Sequence, residues 1–246
     1  VQAEKVNGYG DTKTTITPVK EPLNDANTHF INNQEWTIYA DGTVVCQSVL
    51  LPRGNPLELL RLGYEFQFPA NLGNVAYYGR GPEENYADRK SGMPLGVYKT
   101  TAKDSFFPYG RPQDCGNHED TRWVAVTDDK GQGLLFGSLG TPFAFSAIPY
   151  TTTELILANH PVELPKTTDR TVLVLSAATR GLGGASCGPG PMSRDIIKAN
   201  KPYPMSFFIR PVTAKSYKGE LRVPAAELDM TMLTRTDKYA VKSVTS

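Results

Sequence analysis

Apolar and polar residues alternate along much of this chain. Leu60, Leu62, Tyr64, Phe66 and Phe68 interleave with Arg61, Gly63, Glu65 and Gln67. That period of two puts one apolar and one mixed face on an extended strand. Trp36-Thr-Ile-Tyr-Ala40 and Thr43-Val-Val-Cys-Gln-Ser-Val-Leu50 flank Asp41-Gly42. Asp-Gly between two such runs predicts a hairpin, because a type I′ turn needs positive φ at both central positions. Trp123-Val-Ala-Val-Thr127 and Leu134-Leu-Phe-Gly-Ser138 flank Asp128-Asp-Lys-Gly131 and predict a second hairpin. Further strands are expected in the runs beginning at Phe143, Thr171 and Met205. The run from Thr171 to Leu175 is apolar and β-branched with little alternation, which predicts a central strand covered on both faces.

One short helix is predicted. Thr151 and Glu154 have capping-box spacing, Leu155, Ile156 and Ala158 follow, and Pro161 stops it. No long stretch of period 3.6 occurs. With 22 glycines and 19 prolines punctuating many strands, the expected class is all-β, an antiparallel β-sandwich with at most one short helix. No long internal repeat is visible, which disfavours a propeller or solenoid. Beyond Thr213 the pattern weakens: Leu221-Arg-Val-Pro224 and Met230-Thr-Met-Leu-Thr234 are only loosely strand-like. Residues 1–212 therefore read as the sandwich, and 213–246 as edge strands or a linker toward a further module.

Composition narrows the function classes. A hydrophobic content of 39% over 246 residues suffices for one large core. The 26 basic and 25 acidic residues nearly cancel and are scattered, without the clustering that a phosphate backbone requires. No apolar run is long enough for a membrane-spanning helix. Cys46, Cys115 and Cys187 are odd in number, far apart and without a CxxC pair. They read as three free thiols, or one disulfide and a spare, and not as a zinc site. The first residues lack a signal pattern, and localisation is not readable from the ends. Both ends look cut: there is no initiating methionine, and the chain stops within the β-prone segment Tyr239-Ala-Val-Lys-Ser-Val-Thr-Ser246.

Two blocks carry most of the chemistry. Tyr77-Tyr-Gly-Arg-Gly-Pro-Glu-Glu-Asn-Tyr-Ala-Asp-Arg89 crowds glycine, proline, charge and tyrosine together, and Pro108-Tyr-Gly-Arg-Pro-Gln-Asp-Cys-Gly-Asn-His-Glu-Asp-Thr-Arg-Trp123 does the same. Both predict structured loops that meet on one end of a sheet. Glu83-Glu84 and Glu119-Asp120 could supply a carboxylate pair for glycoside hydrolysis. Neighbours on a strand point to opposite faces, however, and the interleaved Arg80, Arg89, Arg111 and Arg122 suit bidentate ion pairs. His29, His118 and His160 lack metal spacing. His118 and His160 could form an acid–base pair, or could be loop histidines making ordinary hydrogen bonds. Gly181-Leu-Gly-Gly-Ala-Ser-Cys-Gly-Pro-Gly-Pro191 lacks the lysine and following helix of a phosphate loop, and predicts a shaped loop at the end of a strand. Tyr77, Tyr78, Tyr86, Tyr109 and Trp123 lie among Arg, Asn and Gln. They fit either sugar stacking or packing at the edge of the core.

Four segments occur in the order of one family. They are Asn74-Val-Ala-Tyr-Tyr-Gly-Arg-Gly-Pro-Glu-Glu-Asn-Tyr-Ala-Asp-Arg89 with the second block, then Phe143-Ala-Phe-Ser-Ala147, Glu163-Leu-Pro165 and Gly181-Leu-Gly-Gly184. Over about residues 33–212 the chain resembles the C-terminal domain of long-chain β-galactosidases, glycoside hydrolase family 2. The resemblance implies a galactose mutarotase-like β-sandwich (a supersandwich) whose opening strands are missing here. It implies an accessory role: packing on the catalytic barrel and other domains of a parent enzyme, and lending a loop to its galactoside pocket.

The family's two catalytic glutamates lie in the barrel, one of them in an Asn-Glu pair. This chain has no Asn-Glu dipeptide and no strand–helix alternation to build a barrel. The resemblance therefore implies no catalytic residue here, a stretch inactive alone, and a parent that hydrolyses terminal β-galactosides. The family places a tryptophan on the Gly-x-Gly-Gly loop. The matching place falls at Cys187 or Gly188, within a pocket loop of Gly183, Gly184, Ser186, Cys187 and Gly188. A missing ring implies a looser pocket with room for a bulkier sugar. Arg80, Glu84, Asn85, Arg89, Arg111, Gln113, Asn117, Asp120 and Arg122 are expected to lock the loops. Tyr86, Tyr109 and Trp123 could lock loops or touch sugar. The family's catalytic domains use magnesium (Mg) and sodium (Na); no cofactor or metal is implied for this stretch, and no nucleic-acid or membrane partner. Two other readings remain open: a free-standing lectin-like carbohydrate-binding module, and an aldose mutarotase, which the absence of a clear His-His-Glu set disfavours.

Overall fold

The computed structural model describes residues 2–6, 11–15, 28–39, 42–54, 58–166, 168–184 and 187–213. Strands β1 (Gln2–Val6) and β2 (Asp11–Thr15) pair as an antiparallel ribbon. The other described strands form two antiparallel sheets. The larger runs, edge to edge, β3 (His29–Ile38), β4 (Val44–Arg53), β13 (Tyr203–Val212), β10 (Gly133–Ser138), β9 (Trp123–Thr127), β6 (Asn74–Arg80) and β7 (Leu95–Thr101). The smaller runs β5 (Arg61–Pro69), β12 (Arg170–Thr179), β11 (Phe143–Ile148) and β8 (His118–Thr121). The molecule is an all-β sandwich.

Alternation decides what fills the space between the sheets. Val75, Tyr77, Val124, Val126, Phe136 and Phe207 from the larger sheet meet Phe143, Phe145, Leu173 and Leu175 from the smaller one. The alternating apolar residues of β5 join them: Phe66 lies 5.1 Å from Phe136 and 6.2 Å from Phe207 between ring centroids, and Tyr64 lies 5.6 Å from Phe207. A fully buried ring such as Phe136 or Phe207 contributes about 1.5–3 kcal/mol through the area it removes from water. Leu60 falls outside the strand and is 56% exposed. The run from Thr171 to Leu175 is buried throughout and sits between β5 and β11, as its unbroken apolar character predicts. Trp123, Ala125, Leu135 and Phe208 form a second apolar cluster on the opposite face of the larger sheet.

Local signals explain the connections. In the β9–β10 hairpin Asp128 N–H donates to Gln132 O at 2.8 Å and Gly131 N–H to Asp128 O at 3.0 Å, with Gly131 at φ +72°. The Asp128 carboxylate accepts from the N–H groups of Lys130 and Gln132. This is a three-residue loop with glycine in the left-handed position. The β3–β4 hairpin closes in the same way, with Tyr39 N–H on Thr43 O and Gly42 N–H on Tyr39 O. It replaces the two-residue turn expected at Asp41-Gly42; Asp41 itself lies outside the described residues. The helix α1 (Thr152–Leu157) has its capping box: Glu154 N–H donates to Thr151 Oγ1, and Thr151 N–H to the Glu154 carboxylate. It ends at Ala158, and Pro161–Glu163 is a 3₁₀ turn. The stretches around Leu221 and Met230 lie outside the described residues.

Candidate functional site

The ends of β6, β8 and β12 bring both polar blocks and the glycine-rich loop together. Glu84 is one centre of this cluster. Its carboxylate accepts from Tyr109 Oη, from Gly116 N–H at 2.8 Å and from Tyr86 Oη at 3.3 Å, and Arg89 lies 3.6 Å away. One side chain of the first block thus holds two positions of the second, Tyr109 and Gly116, together with Tyr86 of its own block. Burial of Tyr109 and its bond to Glu84 push the phenol up to about 12, so the hydroxyl stays a donor at neutral pH.

Asn85 is the second centre and is fully buried. Its Nδ2 donates to Arg80 O at 3.1 Å and Glu83 O at 3.0 Å, and its Oδ1 accepts Glu119 N–H at 2.8 Å. Asn85 N–H donates to Asn117 O at 2.7 Å, and Asn117 Nδ2 returns a bond to Asn85 O at 2.8 Å. Asn117 Nδ2 also reaches Glu119 Oε1 at 3.0 Å, where Thr179 Oγ1 donates at 2.5 Å. Thr179 ends β12, so this chain of bonds ties both blocks to the strand that leads into the glycine-rich loop.

Asp120 is a non-glycine residue at φ +51°. It pairs with Arg80 Nε and, at 3.1 Å, with Lys90 Nζ, while its own carbonyl accepts from Arg122 Nη1. Burial pushes the Asp120 carboxyl up, but the hydrogen bonds and charges of Arg80 and Lys90 outweigh this and hold it below the ordinary carboxylate range. Left-handed backbone at a β-strand aspartate is costly, and these partners offset the cost. Arg122 lies over the Tyr78 ring at 5.6 Å.

The glycine-rich loop is fastened to the first block. Leu182 N–H and Gly183 N–H donate to the two carboxylate oxygens of Asp88, at 2.9 and 2.7 Å. Gly181 N–H donates to Asp195 O at 2.7 Å, and Gly184 N–H to Pro189 O at 2.8 Å. The loop crosses itself closely: a Cβ on Gly184 would lie 2.7 Å from Gly188 Cα. Cys187 is exposed, and Ser186 lies outside the described residues.

Several sequence expectations are corrected. Trp123 is 1% exposed and packs in the second apolar cluster, and Tyr77 and Tyr86 are buried, so none of these rings offers a face for a sugar. The arginine–acid pairing differs from the one expected. Arg111 and Gln113 are exposed and make no ion pair or side-chain hydrogen bond among the described residues. Lys90, which is not among the expected partners, pairs with Asp120, and Arg122 binds a carbonyl instead of a carboxylate. Arg61, on β5, pairs with Asp114 and donates to Ser146 Oγ at 3.3 Å. His118 is a buried strand residue, not a loop histidine: its Nδ1 lies 3.0 Å from Arg80 O and 3.1 Å from Tyr77 Oη. His160 is exposed and pairs with Glu163, so the two histidines have separate partners. Asp88, Lys90, Arg61 and Thr179 went unassigned. Asp88 and Lys90 lie in or beside the first block, but their partners are distant in sequence.

Among the described residues, no group of three His, Cys, Asp or Glu could hold a metal ion, and no helix is long and apolar enough to cross a membrane. A cleft of about 330 Å³ opens at the other end of β6, lined by Asn74, Lys99, Thr100, Asp128, Asp129 and Lys130 among others. None of the candidate residues lines it.

A β-galactosidase of Priestia megaterium is 35% identical over 178 residues, covering 72% of this chain and 17% of the relative. The β-galactosidase BgaC of Bifidobacterium adolescentis is 43% identical over 143 residues, covering 57% of this chain and 13% of the relative. A β-galactosidase small subunit of Latilactobacillus sakei is 38% identical over 159 residues, covering 61% of this chain and 49% of the relative. The chain thus spans less than a fifth of the first two and about half of the third. The family described as β-galactosidase small chain matches residues 2–209. With that match spanning both polar blocks, the two sheets and the glycine-rich loop, the chain belongs to the β-galactosidase small-chain family.

Proposed function

We propose that this chain is a non-catalytic wall of a glycoside hydrolase family 2 β-galactosidase that cleaves terminal β-galactosides. It packs on the catalytic barrel of the parent enzyme and presents the loop 181–191 to the galactoside pocket. The observation that carries this reading is the fastening of that loop: its base is bonded to Asp88 and to Asp195 O, and Glu84, Asn85, Asn117, Glu119 and Asp120 of the two polar blocks are engaged in internal bonds. Carboxylates committed to Tyr109, Arg80, Lys90 and Thr179 are poorly placed to exchange protons with a sugar. They suit a scaffold that holds a loop still, which is how a binding surface lowers its ordering cost. Cys187 stands near where the family resemblance puts a tryptophan, and a small side chain there leaves the pocket wider.

The test is complementation. The isolated chain is expected to leave a chromogenic β-galactoside uncleaved, and to restore hydrolysis when mixed with a catalytic chain that lacks this region. Hydrolysis by the chain alone would refute the assignment. So would tight galactose binding by the isolated chain (about millimolar or better), which would favour a free-standing carbohydrate-binding module. Within the complemented enzyme, Cys187→Trp is expected to narrow the preference toward small galactosides.

A further inference from the structure

We infer that Asp88 is a positioning residue that sets the conformation of the turn 181–184. Its effect on galactoside binding, though not on the turn, rests on the function proposed above. Three features carry the inference. Both oxygens of one carboxylate are used, each by a backbone N–H of consecutive residues, Leu182 and Gly183. Such charge-assisted pairs are short and directional. Gly181 is the residue that lets the carboxylate approach, since a Cβ there would stand 2.7 Å from both Asp88 Cγ and Asp88 Oδ2. Finally, Gly184 N–H continues the structure inward to Pro189 O, so whatever fixes 182 and 183 also fixes where the loop crosses itself. Asp88 lies in the first block, next to Arg89, which touches Glu84. The turn is therefore joined to the same cluster that holds the second block.

Hydrogen exchange of the full chain, read at single amides, tests this. In Asp88→Ala the Leu182 and Gly183 amides are expected to exchange at least tenfold faster, with the core amides of Val124 and Phe136 unchanged. In Asp88→Asn, which keeps shape and one acceptor oxygen, one of the two amides is expected to speed up. Gly181→Ala should reproduce the Asp88→Ala pattern, because the methyl group displaces the carboxylate. Unchanged exchange at Leu182 and Gly183 in both Asp88 variants would overturn the inference. If Asp88→Ala fails to fold, Asp88→Asn and Gly181→Ala decide. In the complemented enzyme, Asp88→Ala is expected to raise KM for a galactoside several-fold with kcat within about twofold of the parent. Faster exchange without a change in KM would leave Asp88 as the holder of the turn and refute the pocket role of the loop.

Discussion

His118 makes stability depend on pH in a direction that can be worked out beforehand. The ring is 4% exposed, stacked on Phe145 at 5.1 Å and beside Tyr77 at 4.4 Å. Burial pushes its pKa down to about 4, and the bond to Arg80 O and the charge of Glu84 recover only part of the loss. The neutral ring is the form this fold accepts, with Nδ1–H donating to Arg80 O. A histidine whose folded value lies below its unfolded 6.5 stabilises fully above pH 6.5, and that stability is lost as pH falls from 6.5 toward about 4. At about 1.4 kcal/mol per pH unit the whole loss is about 3 kcal/mol, and about 2 kcal/mol of it falls between pH 6.5 and 5. Urea unfolding near pH 7, 6 and 5 reads this directly. His118→Gln is expected to be less stable at pH 7, because it loses the ring contacts, but its stability should change much less between pH 6.5 and 5. Parallel loss in the two proteins over that window would refute the reasoning.

Three other outcomes are expected. Asn85→Ala strips two carbonyls and the buried Glu119 N–H of partners; at about 1–3 kcal/mol for an orphaned buried group, urea unfolding should show a loss of about 2–4 kcal/mol. Phe207→Ala removes a fully buried ring that touches Trp36, Tyr64 and Phe66, and thermal unfolding should show about 3–5 kcal/mol less stability. Thiol titration near pH 8 should modify Cys187 in the native chain and all three cysteines in urea, since burial pushes the thiols of Cys46 and Cys115 up to about 12 and about 11.

Residue order alone determined the class of this protein. The alternation in β5, the unbroken apolar run in β12 and the capping box at Thr151 are patterns contained in windows of a few residues. A chain expresses such patterns before any distant contact forms. The two polar blocks were legible for the same reason, since glycine, proline and interleaved charge crowd into short windows. Turn length at Asp41-Gly42 was less legible, because the same dipeptide serves loops of two or three residues and the strand register chooses between them.

Only the tertiary structure decided what each polar residue does. Nothing local distinguishes Arg111, left exposed, from Arg80, pinned on Asp120. In sequence Trp123 fits a sugar platform or a core-edge ring equally, and the outer face of β9 buries it. Asp88 and Leu182 stand 94 positions apart, and their meeting depends on β6 and β12 ending at one edge of the sandwich. Pairings of that span are set by sheet order and register, and short-range periodicity carries no information about either.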